Sequence, residues 1–330
     1  LIAYYFSFNM SLEYRRLGKY GLKVSELSLG AWVTFGGQVG EDAARECILA
    51  AYEAGVNFFD NADIYAMGNA EIVMGKVIKE IPRSDLIISS KVFWPTGNGP
   101  NDKGLSRKHI MESVHKSLKR LETDYLDLYF CHRYDPETPL EEVVRAMDDL
   151  VHQGKVLYWG TSEWRGAQIA NGVALARQWG LYPPAVEQPH YNMFTRQIVE
   201  SELVDAAQEH GVGVVTWSPL ASGVLTGKYN EGLPEGSRLA DPNYEWLRGA
   251  VTPERVEKVR QLTVIAKDLD CTVAQLAIAW LLRLPEVTSV ITGASRVSQV
   301  HENLKAAEVK HKLTPDVLEK IEEILANKPS

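Results

Sequence analysis

The sequence has little cysteine: three residues among 330, Cys47, Cys131 and Cys271, far apart and without CxxC spacing. That excludes a disulfide framework and a zinc ribbon, and reduced thiols in a cytoplasmic protein are the simplest reading. No long basic run is present and the formal net charge is −8, which removes the electrostatic case for binding nucleic acid. No stretch is apolar for long enough to span a bilayer. The apolar start, Leu1 to Asn9, is short and lacks both a basic head and a small-residue cleavage site. Met10 reads as a natural start, so residues 1–9 are expected to be a disordered extension and 10–330 one domain. Repeats of solenoid period, low-complexity tracts and linkers are lacking too.

What remains is an ordinary globular composition, 45% hydrophobic and 24% charged, with ample length for a large core. Short apolar runs alternate with amphipathic segments. Strands are expected at 27–30, 56–59, 85–90, 125–130, 156–159, 185–187, 213–216 and 288–292. Helices are expected at 42–54, 70–79, 140–153, 166–179, 195–210, 253–270, 273–284, 295–306 and 315–326, with a further one capped by Ser106. A polar hairpin precedes them at 14–25, and a Gly- and Pro-rich loop fills 218–252. Strands separated by single helices pair in parallel. A doubly wound sheet would carry GxGxxG after its first strand, and the sequence from Gly30 to Gly37 lacks that spacing. The expected fold is therefore an α/β (β/α)8 TIM barrel with a short N-terminal β-hairpin and extra C-terminal helices.

Such a barrel places its active site at the carboxyl ends of the strands. Read there, the sequence offers Trp32, Asp60 with Tyr65, Lys91, His132, Ser162, Gln188, the run Trp217-Ser218-Pro219, and Gly293 to Ser295. A carboxylate, a phenol, an amine and an imidazole from successive strands have complementary chemistry. A free phenol is a poor acid at neutral pH. A lysine ammonium beside Tyr65 would stabilise its phenolate and lower its pKa, and Asp60 would hold Lys91 charged. His132 could orient a carbonyl oxygen. The set reads as a general-acid site for carbonyl reduction, which requires a hydride donor.

In order and strand position, Asp60, Tyr65, Lys91 and His132 resemble the catalytic tetrad of the aldo-keto reductases. Residues 30–37, 55–62, 99–107, 158–162 and 217–223 extend the likeness from Tyr14 to Pro329. More narrowly, the chain resembles the branch containing voltage-gated potassium channel β-subunits and their plant and microbial relatives. The resemblance implies NADPH/NADP+ across the barrel mouth and no metal. Ser162 and Gln188 would hold the carboxamide, and Trp217 would stack on the nicotinamide. Ser218, Pro219, Leu220 and Ser222, with Lys228 and Arg238, would grip the pyrophosphate. Gly293, Ser295 and Gln299 would take the ribose phosphate, and Glu302 and Asn303 the adenine. Trp32 and Gln38 would line the nicotinamide end. Glu163 stands where many reductases carry asparagine and the animal channel subunits arginine. Gly236 replaces a tyrosine of those subunits, and His132 an asparagine.

Taken singly, each of these residues has an ordinary structural reading, such as a helix cap, a packed loop aromatic or a solvated strand end; the joint placement favours the site. His109 and His115 are expected to face solvent, His190, His210, His301 and His311 to be structural, and Trp94, Trp164, Trp246 and Trp280 to pack in core or loops, with contact to substrate as the alternative for Trp94, which follows the third strand. The pairs Glu141/Glu142 and Asp148/Asp149 are expected on exposed helix faces. The expected function is NADPH-dependent reduction of a small-molecule aldehyde or ketone. The alternative is a channel β-subunit-like binding protein that uses NADP(H) as a redox sensor, with a membrane channel subunit as partner. The branch also implies a homo-oligomer, a tetramer.

Overall fold

A computed structural model describes residues 12–32, 35 and 39–329. An antiparallel hairpin, β1 (Tyr14–Arg16) with β2 (Lys23–Ser25), precedes a closed barrel of eight parallel strands. These are β3 (Leu27–Gly30), β4 (Phe58–Asp60), β5 (Ile87–Val92), β6 (Leu126–Cys131), β7 (Val156–Ser162), β8 (Val186–Gln188), β9 (Gly213–Thr216) and β10 (Val287–Thr292). They pair in chain order, and β10 closes onto β3. The crossover helices include α1 (Glu41–Glu53), α2 (Asn69–Ile78), α3 (Arg107–Leu121), α4 (Leu140–His152) and α5 (Gly166–Trp179). The later ones are α6 (Val204–His210), α7 (Pro253–Asp268), α8 (Val273–Leu282), α9 (Val297–Leu304), α10 (Ala306–Val309) and α11 (Pro315–Leu325). No helix among the described residues is long and apolar enough to cross a membrane.

The two-residue period of a strand divides the side chains cleanly. Phe59, Ile88 and Tyr129 join the core between barrel and helices. Phe58, Ile87, Leu128, Phe130, Val186, Val215 and Ile291 fill the interior, where Leu17 and Val24 of the hairpin plug the lower end. Gly18 explains the tightness of that plug. Its φ is +54°, and a Cβ there would lie 2.2 Å from the Gly211 carbonyl oxygen. One or two steps further up β4 and β5, the same inward row becomes polar: Asp60 follows Phe58, and Ser89 and Lys91 follow Ile87. The fold thus has an apolar floor and a polar mouth.

Two strands run two or more residues further than the apolar runs imply. Strand β5 continues to Val92 rather than ending at Ser90, because Lys91 and Val92 pair with Phe130 and Cys131. Strand β7 continues to Ser162 because Gly160, Thr161 and Ser162 pair with Val186, Glu187 and Gln188. Lys91 and Ser162 are therefore held by the sheet itself and not by loops. The expected helix at 195–210 contains a π-helical stretch, Val199–Leu203. There Glu200 accepts from Tyr191 Oη (2.5 Å), Arg196 Nη2 (2.7 Å) and Arg283 Nη2 (2.7 Å).

Two polar expectations are corrected. His109 is only 1% exposed; its Nδ1 lies 2.8 Å from the Gly104 carbonyl oxygen, while its Nε2 is buried without a hydrogen-bond partner among the described residues. Asp148 is only 5% exposed; its carboxylate accepts from the Tyr182 backbone N–H at 2.8 Å and ties α4 to the loop before β8. Trp164 and Trp280 are core residues as expected. Trp246 instead is 69% exposed at the mouth.

Candidate active site

Asp60 ends β4 and points inward beside β5. Its Oδ2 accepts from Lys91 Nζ at 2.6 Å, and its Oδ1 from Ser89 Oγ at 2.7 Å and Gln188 Nε2 at 3.0 Å. Lys91 is fully buried. Its ammonium donates to Asp60, to the Asn61 carbonyl oxygen (2.7 Å) and to the Tyr65 phenol oxygen (3.2 Å). An ammonium has three protons, all used here. Because Lys91 donates to the phenol oxygen, the phenol's own proton must point elsewhere, and Tyr65 lines the open cleft. Tyr65 is presented by a tight turn in which Ala66 and Met67 both have positive φ, 48° and 53°. Such strain in non-glycine residues persists where surrounding structure fixes it.

His132 follows β6, and its backbone N–H donates to the Val92 carbonyl oxygen at 2.9 Å. Its ring meets Tyr65 edge-on at 5.8 Å and Trp94 at 6.3 Å. Burial, with help from the Lys91 and Arg133 charges, holds the imidazole well below its usual pKa, so it is neutral. Burial also lowers the Lys91 pKa, against the pull of Asp60. The expected lowering of the Tyr65 pKa is not found. Burial, reinforced by the Asp60 carboxylate, raises it well above the ordinary phenol value. The Arg133 charge opposes that rise without reversing it. In the resting site the phenol is protonated, as a proton donor must be.

Across the mouth runs a cleft of about 950 Å3. Trp32, Asp60, Ser162, Gln188, Trp217, Ser218, Pro219, Leu220 and Ser222 line it, as do Lys228, Arg238, Gly293, Ser295, Gln299, Glu302 and Asn303. Every residue expected to contact a cofactor thus lines this one cleft, apart from Gln38, which lies outside the described residues. At the start of α9, Gln299 Oε1 accepts from the Ser295 backbone N–H at 2.8 Å, and Asn303 Nδ2 donates to the Gly293 carbonyl oxygen at 3.1 Å.

The donor set fits a polyanionic dinucleotide. Lys228, Arg238 and Arg296 share the cleft, and the charges of Arg238 and Arg296 add to burial in lowering the Lys228 pKa. Among the described residues none of the three has an ion-pair partner, and Arg238 Nε is buried without a hydrogen-bond acceptor. Like charges held together against burial are stabilised when an anion arrives. Arg296 was not singled out by sequence, although it directly follows Ser295. Nor was Arg133, directly after His132.

Glu163 has a role the sequence does not reveal. Its backbone is left-handed, φ +61°, and its Oε1 accepts from Trp217 Nε1 (2.9 Å) and from the His190 backbone N–H (2.5 Å). His190 stacks on Trp217 at 4.3 Å and 19°, and Trp32 meets the indole edge-on at 5.4 Å. One carboxylate oxygen therefore fixes the indole plane. For a dinucleotide held against this indole, Glu163→Leu should weaken binding about three- to tenfold, the scale of losing one or two such hydrogen bonds. Glu163→Gln, which keeps an acceptor, should retain most of the affinity; titration of Trp fluorescence with NADP+ measures both.

An eight-stranded parallel barrel with a buried Asp–Lys pair beneath a mouth tyrosine is the architecture of an aldo/keto reductase. The chain belongs to that family: the model of the Aldo/keto reductase family matches residues 26–326. Its members are oxidoreductases that generally use a nicotinamide dinucleotide. The chain is 53% identical over 322 residues to an Arabidopsis thaliana protein described as "Probable voltage-gated potassium channel subunit beta", covering 96% of this chain and 98% of that protein. It is 50% identical over 322 residues, with the same coverage, to an Oryza sativa subsp. japonica protein of the same description.

Proposed function

We propose that the protein reduces aldehydes or ketones to alcohols with NADPH, with Tyr65 as the general acid. The observation that carries this reading is the threefold donation of Lys91, which turns the phenol proton of Tyr65 toward the cleft. Ser162, Gln188 and Trp217 would hold the nicotinamide end, and Lys228, Arg238, Arg296 and Gln299 the phosphates. NADPH held there would supply the hydride for the carbonyl carbon. Tyr65 gives its proton to the carbonyl oxygen, and Lys91 stabilises the phenolate that remains. Asp60 keeps Lys91 cationic in a buried site. His132, neutral, retains one N–H with which to orient the carbonyl.

A pH profile follows from these directions. Reduction needs Tyr65 protonated, and its raised pKa keeps it so; the depressed His132 stays neutral over the same range. The kcat/KM for an aromatic aldehyde should be flat from about pH 6 to 9. Oxidation of the matching alcohol needs the phenolate and should rise with pH. A reduction rate that falls through neutral pH would contradict the assignment.

The descriptions of the two plant relatives favour a second role, association with a voltage-gated potassium channel; we propose that the protein would fill it in the cytoplasm as a homo-oligomer, a tetramer, with bound NADP(H) reporting redox state. The two roles are compatible. Recovery of a channel subunit with the protein from solubilised membranes supports the second, and turnover alone does not.

A further inference from the structure

We propose that Arg133 selects carbonyl substrates that also carry a carboxylate, an inference resting on the reductase reading. The other groups around the reacting centre leave no net charge: Lys91 is paired with Asp60, and Tyr65 and His132 are neutral. Arg133 is different. It lines the same cleft, is only half-buried, and has no carboxylate within ion-pair reach among the described residues. Its one hydrogen bond there is from Nη1 to the His132 carbonyl oxygen, at 2.5 Å.

The guanidinium sits 5.4 Å from the Trp94 ring. Trp94 is 6.3 Å from the His132 ring, and His132 is 5.8 Å from Tyr65. The proton donor is therefore flanked by an aromatic wall that ends in a cation. The nearness is electrical as well: the Arg133 charge pulls the Tyr65, Lys91 and His132 pKa values down. The cations Lys228, Arg238 and Arg296 lie on the 218–252 loop and at the start of α9, so they serve the other end of the cleft. A substrate with an aldehyde at Tyr65 and a carboxylate at the far side of a ring or short chain would meet Trp94 and then Arg133. Its planar fork matches a carboxylate bidentately.

The test compares 4-carboxybenzaldehyde with its neutral counterpart, methyl 4-formylbenzoate, using the full chain with NADPH. The readout is the ratio of their kcat/KM values within each variant, which cancels general damage. The wild-type ratio should be about tenfold or more in favour of the acid, the scale of one charge-assisted contact. It should fall to about one or two in Arg133→Met and lie between in Arg133→Lys. A wild-type ratio near one, or an unchanged ratio in Arg133→Met, overturns the proposal. A binding arm separates this failure from failure of the reductase reading: benzoate and benzamide are titrated by Trp fluorescence with NADP+ present. Arg133-dependent preference for benzoate without turnover of either aldehyde supports the selectivity and removes the reductase reading. Turnover of both aldehydes without preference does the reverse.

Discussion

Tyr65→Phe should lower single-turnover reduction of an aromatic aldehyde by about 10^2- to 10^4-fold, the usual contribution of a positioned general acid. The substitution removes one oxygen and keeps the ring that meets His132. Lys91 loses its 3.2 Å acceptor but keeps Asp60 and the Asn61 carbonyl, so the cost in stability should be about 1 kcal/mol. The cations and main-chain groups around Lys228, Arg238 and Ser295 are untouched, so NADPH affinity should be unchanged. The measurement is the decay of NADPH absorbance in a single turnover, beside a fluorescence titration of cofactor binding. Turnover at the wild-type rate would show that the proton comes from elsewhere.

Lys91→Met should be the more damaging change to the fold. It strips the ammonium from a carboxylate that is 2% exposed, leaving Asp60 only Ser89 and Gln188 as donors. Breaking a buried pair on one side costs about 3–5 kcal/mol, because the surviving charge is uncompensated. The double variant Asp60→Asn/Lys91→Met removes both charges and should recover much of that loss. Neither variant should reduce aldehydes, since neither turns or stabilises the phenol. Urea midpoints and turnover together read the outcome. Stability that tracks activity through the double variant would show that the pair is only structural.

Much of this was legible in the sequence for a simple reason. A strand's alternation and an inward polar residue at its end are local patterns, and Asp60, Lys91 and His132 each carry one. The closed barrel followed from strands separated by single helices. Less legible were the features set by partners distant in sequence. Lys91 and Ser162 fall within strands because of pairing with β6 and β8, which no local pattern shows. His109 and Asp148 looked exposed because polar residues on helices usually are, yet contacts with Gly104 and Tyr182 hold them inside. The role of Glu163 depends on Trp217, 54 residues away. The shift of Tyr65 was expected downward from its ammonium neighbour, but burial decided its sign. Arg133 and Arg296 adjoin residues that drew attention, and only the cleft distinguishes them from ordinary surface arginines.

In the proposed reaction a hydride passes from the nicotinamide to a carbonyl carbon at this mouth. The most direct measurement supplies NADPH deuterated at the transferring position of nicotinamide C4 and follows the label by mass spectrometry. One deuterium should appear on the carbinol carbon of each alcohol formed, with turnover lost in Tyr65→Phe. Alcohol formed without the label, or no alcohol from any aldehyde despite tight NADPH binding, would contradict it.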